Sequence, residues 1–165
     1  MAQRIIAFEP IVPPSARLLV LGSMPSVRSL EQGFYYAHPK NAFWRIMADV
    51  FDEPFPEDIP ERVELLLRHD IALWDVLQSC ERQGSLDSAI RSPVMNDFEG
   101  LFARCPGIRH ILFNGGTAQR LFLKCGSGFL AGRQWMRMPS TSPAYTLSYE
   151  RKLALWRDAL TGVCV

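Results

Sequence analysis

The chain has 165 residues, of which 48% are hydrophobic and 21% charged, which places it among globular rather than disordered proteins and makes a single domain over 1–165 the expectation. Its apolar runs are too short to span a bilayer, and the opening "MAQRIIAFEP" lacks the apolar core and cleavage site of a signal peptide, so a cytoplasmic protein without membrane contact is expected. The net charge of +1 conceals an asymmetry: residues 1–99 carry nine Lys/Arg against fifteen Asp/Glu, whereas residues 100–149 carry six basic residues and no acid. Such a stretch either makes one face attractive to a polyanion or scatters its charges over several faces.

The first apolar run, "RLLVLG" at 17–22, reads as a buried strand. A loop over 22–40 follows, and a helix is predicted over 41–51, where Phe43, Ile46, Met47, Val50 and Phe51 share one stripe. A second helix is expected over 60–69, with Pro60 in its first turn. "IALWDV" at 71–76 reads as the next strand, then a loop over 76–96 and a helix over 96–104 burying Phe98, Leu101 and Phe102. "RHILFN" at 109–114 is a third strand and passes through a short 114–117 turn into a helix over 117–124. "QWMRMP" at 134–139 is a fourth strand whose alternation indicates an exposed side, and a helix over 148–160 closes the pattern after a loop over 139–147. Strands alternating with helices predict right-handed crossovers and a parallel sheet with helices on both faces. Ligands of such sheets bind beyond the carboxyl ends of the strands, which directs attention to the four loops just named.

Several features point away from particular chemistries. Cys80, Cys105, Cys125 and Cys164 are dispersed, with no C-x-x-C pair and no histidine at ligand spacing, so buried free thiols are expected rather than a metal site. "GSGFLA" at 126–131 fits a dinucleotide fingerprint but follows a helix rather than a strand. His69 and His110 sit at a helix end and a strand start, where structural roles suffice.

The loops are more informative. The stretch "GSMPSVRSLEQGFYYAHPKNAFW", 22–44, holds three consecutive aromatics, a His-Pro pair and an asparagine, with no paired carboxylates and no evident nucleophile. The aromatics can serve as core, and Asn41 stands where a helix begins and Asn caps well. "FNGGTA" places Asn114, Gly115 and Gly116 between a strand and a helix start, a place for backbone to approach a ligand or simply a tight turn. "MPSTSPAY", 138–145, offers three hydroxyls on a stiff loop, suited to phosphate oxygens.

"LVLGSMPSVRSLEQGFYYAHPKNAFW" together with "MPSTSPA" closely resembles the uracil-DNA glycosylase superfamily, and most of all its hypoxanthine-DNA (deoxyinosine) glycosylase branch, with the resemblance running over 17–160. It implies a three-layer α/β/α sandwich on a short, mainly parallel four-stranded sheet. It further implies a monomer that acts on DNA containing deaminated bases, without metal or cofactor. The superfamily's first motif corresponds to Gly22, Ser23, Met24, Pro25 and Ser26, and its second to Met138 through Ser142. Uracil-excising relatives place an Asp or Asn in the first motif to position water, and here Met24 stands there. In the hypoxanthine branch that duty passes to the asparagine of the "HPxNxFW" segment, Asn41, with Asn114 as a second candidate. The resemblance also implies Tyr36, Gly22, Ser23, Met24, His38 and Gly115 at the base, with Tyr36 stacking on it. Ser26, Ser140, Thr141 and Ser142 would meet the DNA backbone, and Tyr145 would enter the space the base vacates.

The chemistry suits these residues. A glycosidic bond can break with little covalent help, leaving an oxocarbenium-like sugar, so that holding the extruded base and stabilising charge are the main tasks. An amide can orient water without deprotonating it. No lysine lies in either motif, so a monofunctional enzyme that leaves an abasic site is expected. The alternatives are a uracil or G·T/G·U mismatch glycosylase and a catalytically silent DNA- or nucleotide-binding module.

Overall fold

The computed structural model describes residues 3–164, with side chains through Gly162. In chain order the elements are β1 (Arg4–Ile6), β2 (Leu18–Gly22), α1 (Val27–Gln32), α2 (Phe43–Val50), α3 (Ile59–Arg68), β3 (Ile71–Asp75), β4 (Leu77–Glu81), β5 (Arg91–Met95), α4 (Phe98–Arg104), β6 (His110–Asn114), α5 (Gly116–Gly126), β7 (Gln134–Met138) and α6 (Tyr149–Cys164). Short 3-10 turns occupy Asp87–Ala89 and Ser127–Leu130.

The strands β3-β2-β6-β7 form a wholly parallel sheet, the one expected from the four apolar runs. Its register sets Gly22 beside Asp75 and Asn114 beside Met138, so these strand ends share one edge. Side chains alternate across the sheet and so define two cores. Leu19, Leu21, Trp74, Ile111 and Phe113 meet Phe98 and Leu101 of α4 and Phe122 of α5 on one face. Leu18, Val20, Leu73 and Leu112 meet Phe43, Ile46 and Met47 of α2, Leu65 and Leu66 of α3 and Trp156 of α6 on the other. The result is the three-layer α/β/α arrangement, in which each fully buried large side chain contributes roughly 1.5–3 kcal/mol. β7 is an edge strand exposed at four consecutive residues, 134–137, so that both faces rather than the one exposed side expected from its alternation meet solvent.

Local chemistry explains the helix boundaries. Asp58 accepts from the Glu61 amide at 2.9 Å and Asp97 from that of Gly100 at 3.0 Å, starting α3 and α4. Four elements lay outside the sequence expectation: α1, β1, β4 and β5. The 22–40 loop contains α1, begun by Ser26 and closed by Gly33 at φ 74°. The 76–96 loop contains β4 and β5, which join β1 in a separate antiparallel sheet. β5 is exposed along most of its length and β4 continues β3 after the single residue Val76, so neither carries an independent apolar signal.

Cys80 and Cys105 are buried free thiols, whereas Cys125 lies exposed on α5, against the expectation of burial. The Cys164 side chain lies outside those described. The 126–131 stretch is the end of α5 and a 3-10 turn, which no dinucleotide-binding turn uses. Among the described residues no helix is long and apolar enough to cross a membrane.

Candidate active site

The carboxyl ends of β2, β3 and β6 and the loop after β7 enclose a cavity of about 140 Å³. Gly22–Ser26, Tyr36, Asn41, Asp75, Asn114 and Ser140–Ser142 line it, with Ser85 and Asp87 entering from the β4–β5 connection. Its size is well below that of cavities for drug-sized ligands, about 300–1,000 Å³, and suits one flat ring system. Most of the predicted site residues are thereby brought together, from three of the four loops.

Gly22 is the floor. A Cβ there would lie 2.5 Å from Asp75 Oδ1 and 2.8 Å from the Tyr36 hydroxyl, so the bare backbone lets both groups close over it. Tyr36 holds the left-handed conformation at φ 51°, which is strained for a tyrosine and is found where surrounding structure enforces it. Its ring centroid lies 4.4 Å from that of Phe43, and its hydroxyl is buried with the Asn114 side chain as its polar neighbour. Burial, then the nearby Asp75, hold that phenol far above the ordinary tyrosine range, so it remains a neutral donor. The two preceding aromatics are more deeply built into the core: Phe34 stacks on Trp44, and the Tyr35 hydroxyl donates to the Glu9 carbonyl at 2.6 Å.

Met24 lines the cavity but is buried in the core, 8% exposed, and its thioether side chain offers no group that orients water. Asn41 Oδ1 accepts from the Phe43 amide at 3.0 Å, so the oxygen caps α2 and the amide nitrogen is the end left for a ligand. Asn114 and Thr141 are bonded to each other twice, and the Thr141 carbonyl accepts from the Ala42 amide at 3.0 Å. Thr141, expected at the DNA backbone, is thus a buried tie among β6, α2 and the 139–147 loop. Gly115, expected at the base, lies outside the cavity lining; its amide donates to the Met138 carbonyl at 3.1 Å, and Ser140 packs against its bare face. Ser26 caps α1 and its hydroxyl donates to Ser29 Oγ at 3.2 Å, while Ser140 and Ser142 Oγ accept from the amides of Ser142 and Ala144, leaving these two hydroxyl protons free to turn outward.

Two carboxyl groups at the cavity escaped the sequence reading. Asp75 ends β3, 3% exposed, with Oδ2 unpartnered. Burial, reinforced by Asp87 and opposed by Arg82, raises its carboxyl to about 7. Asp87 accepts from Ser23 Oγ at 2.8 Å. The available signal was an aspartate terminating an otherwise apolar buried strand at a carboxyl end; its proximity to Gly22 is set only by strand pairing.

A groove of about 620 Å³ adjoins the cavity through Tyr36 and Asn41. His38 and Tyr145 line it, so these two sit beside the cavity rather than in it. Arg62 lies 5.5 Å over Trp44, Arg45 3.8 Å over Tyr149 and Lys152 5.6 Å over Tyr145. Cations interleaved with aromatics suit a nucleic-acid strand. These cations come from outside the acid-free stretch. Within that stretch, Arg120, Lys124 and Arg137 share a separate shallow hollow, and Arg133 is held by the carbonyls of Ile108 and Phe129. Lys152 is the lysine nearest the second motif in the fold; burial lowers its pKa and its Nζ donates to the Ser142 carbonyl at 3.0 Å.

The family model for the uracil DNA glycosylase superfamily matches residues 9–160. A hypoxanthine DNA glycosylase of Methanosarcina barkeri is 35% identical over 109 residues, covering 66% of this chain and 69% of that one. Another, of Methanosarcina acetivorans, is 38% identical over 112 residues, covering 67% and 71%. The solution NMR structure of a candidate uracil DNA glycosylase from Methanosarcina acetivorans superimposes with a TM-score of 0.83 at 30% identity, over 97% of this chain and 98% of that one.

Proposed function

The chain belongs to the uracil DNA glycosylase superfamily and is a DNA glycosylase, and we propose that it acts as a monomer and removes hypoxanthine from deoxyinosine-containing DNA by a monofunctional route. The observation that carries this reading is the replacement of a water-positioning side chain by the buried Met24, with an amide supplied from the cavity's other wall by Asn41. The two relatives named as hypoxanthine DNA glycosylases support the choice of base.

The strand lies along the cationic groove, and the damaged nucleotide turns out of the duplex into the cavity, at a cost of a few kcal/mol that is least for mispaired bases. The exposed face of Tyr36 stacks on the base, with Ser23 and His38 near its edge. Asn114, braced by Thr141, sets the cavity wall and presents its amide to the base. The Asn41 amide nitrogen holds water or the base at the sugar. Ser140 and Ser142 donate to phosphate oxygens, and Tyr145, 48% exposed, fills the space left in the stack. Lys152 is directed to the Ser142 carbonyl and does not line the base cavity, so the abasic sugar is left without an imine.

A deoxyinosine duplex should release free hypoxanthine and yield a strand that breaks only after alkali. Prompt breakage, or a borohydride-trapped covalent adduct, overturns the monofunctional route.

A further inference from the structure

Asp75 is the buried group that this reading leaves unused. It projects from the end of β3 beside Gly22, its Oδ2 has no partner, and it forms no salt bridge among the described residues. An ionised carboxylate in such a place is costly unless paired, so the resting group is the neutral acid, which carries a proton to donate. The Tyr36 hydroxyl, likewise buried and with the Asn114 side chain as its polar neighbour, crowds the same point above Gly22. The carboxyl therefore brings one proton to the cavity floor, beside the Tyr36 ring.

A purine with a 6-oxo group presents two adjacent acceptors, N7 and O6, on one edge. We propose that Asp75 is the general acid of the reaction, donating to N7 of the departing purine on which Tyr36 stacks. The proposal rests on hypoxanthine being the base. As the C1′–N9 bond breaks, its electron pair stays on N9 and the Asp75 proton passes to N7. The base leaves as a neutral N7–H tautomer, and the new carboxylate faces a sugar cation. Water adds at C1′, and the proton it releases returns through solvent to the carboxylate. Uracil has no N7, so a site built on this donor favours purines through an unmet hydrogen bond as well as through size. The titratable groups facing Asp75 are Tyr35, Tyr36, Asp87 and Arg82; burial and Asp87 keep its proton on up to about pH 7, where Arg82 opposes them.

The test is single-turnover release from duplexes carrying deoxyinosine, 7-deaza-deoxyinosine or deoxyuridine, from about pH 5 to about pH 9, with the wild type and Asp75→Asn. Wild-type release of hypoxanthine should fall tenfold per pH unit above about 7, Asp75→Asn should be at least about 100-fold slower and lose that limb, and the 7-deaza substrate should make the two proteins equal. A variant within threefold of wild type, a persisting limb, or wild-type excision of the 7-deaza base at the hypoxanthine rate overturns the acid role alone. Release of uracil but not hypoxanthine by the wild type overturns the substrate reading and the acid role with it. Carbon-13 titration of the wild-type aspartate carboxyls is independent of variant folding: Asp75 should titrate near 7, and a value near the ordinary 4 overturns the proposal.

Discussion

Asn114 and Thr141 hold each other by two hydrogen bonds, Asn114 Nδ2 to Thr141 Oγ1 at 2.9 Å and the Thr141 amide to Asn114 Oδ1 at 2.9 Å. The pair fastens the end of β6 to the second motif, and the Ala42 amide on the Thr141 carbonyl extends the tie to α2. Asn114→Ala strands a buried amide and should cost about 1–3 kcal/mol, more than Thr141→Val, which loses one neutral bond at about 1 kcal/mol. Urea midpoints check the order. Equal midpoints for both variants and wild type would mean that the tie is not structural.

Asn41 offers two separable groups: its oxygen accepts from the first amide of α2, and its amide nitrogen carries the role we propose at the cavity. Serine caps about as well as asparagine but has no amide nitrogen. Asn41→Ser should therefore melt within about 0.5 kcal/mol of wild type and lose excision by about 100-fold or more, the scale of one preorganised donor. Excision at the wild-type rate returns Asn41 to capping alone.

Gly22→Ala sets a methyl 2.5 Å from the Asp75 carboxyl oxygen and 2.8 Å from the Tyr36 hydroxyl. Neither neighbour is free to swing, so overpacking should cost about 1–3 kcal/mol and displace both groups. Slower excision with a lowered melting point is expected. An unaltered melting point and rate would show that the floor has slack.

Asp75 also makes a stability prediction. Its folded carboxyl titrates at about 7, above the unfolded value, so the folded state holds a proton that the unfolded chain has released. This contribution is fully favourable below about pH 4 and is lost as pH rises to about 7, a penalty on the order of a few kcal/mol. Asp75→Asn should remove that slope and be the more stable protein at alkaline pH. Denaturant midpoints at acid and alkaline pH read it directly; parallel profiles for the two proteins would refute it.

DNA affinity should depend on the groove. Arg62→Gln removes a cation lying over Trp44 and should weaken binding of duplexes of unrelated sequence alike, lowering the salt slope by about one. Unchanged binding at every salt concentration would move the DNA path elsewhere.

The sheet was legible because its strands are buried on both faces: "RLLVLG", "IALWDV" and "RHILFN" can hardly be anything else, and the helices between them carry clean stripes. Pro60 likewise announced the first turn of α3. The antiparallel strands were illegible because β5 is largely exposed and is stabilised by a partner distant in sequence. Within the site, Tyr36, Asn41 and the second-motif serines could be named from their motifs. That Thr141 is an internal tie and that Gly115 lies behind Ser140 could not.

Sequence alone determined the parallel α/β architecture, the family resemblance and the loss of a water-positioning residue at Met24, because buried periodicity and contiguous motifs are local properties of the chain. Only the tertiary structure decided that an acid belongs to the site. Asp75 lies 53 positions after Gly22, and their adjacency follows from the pairing of β2 with β3, which buries the carboxyl and sets it beside the Tyr36 hydroxyl.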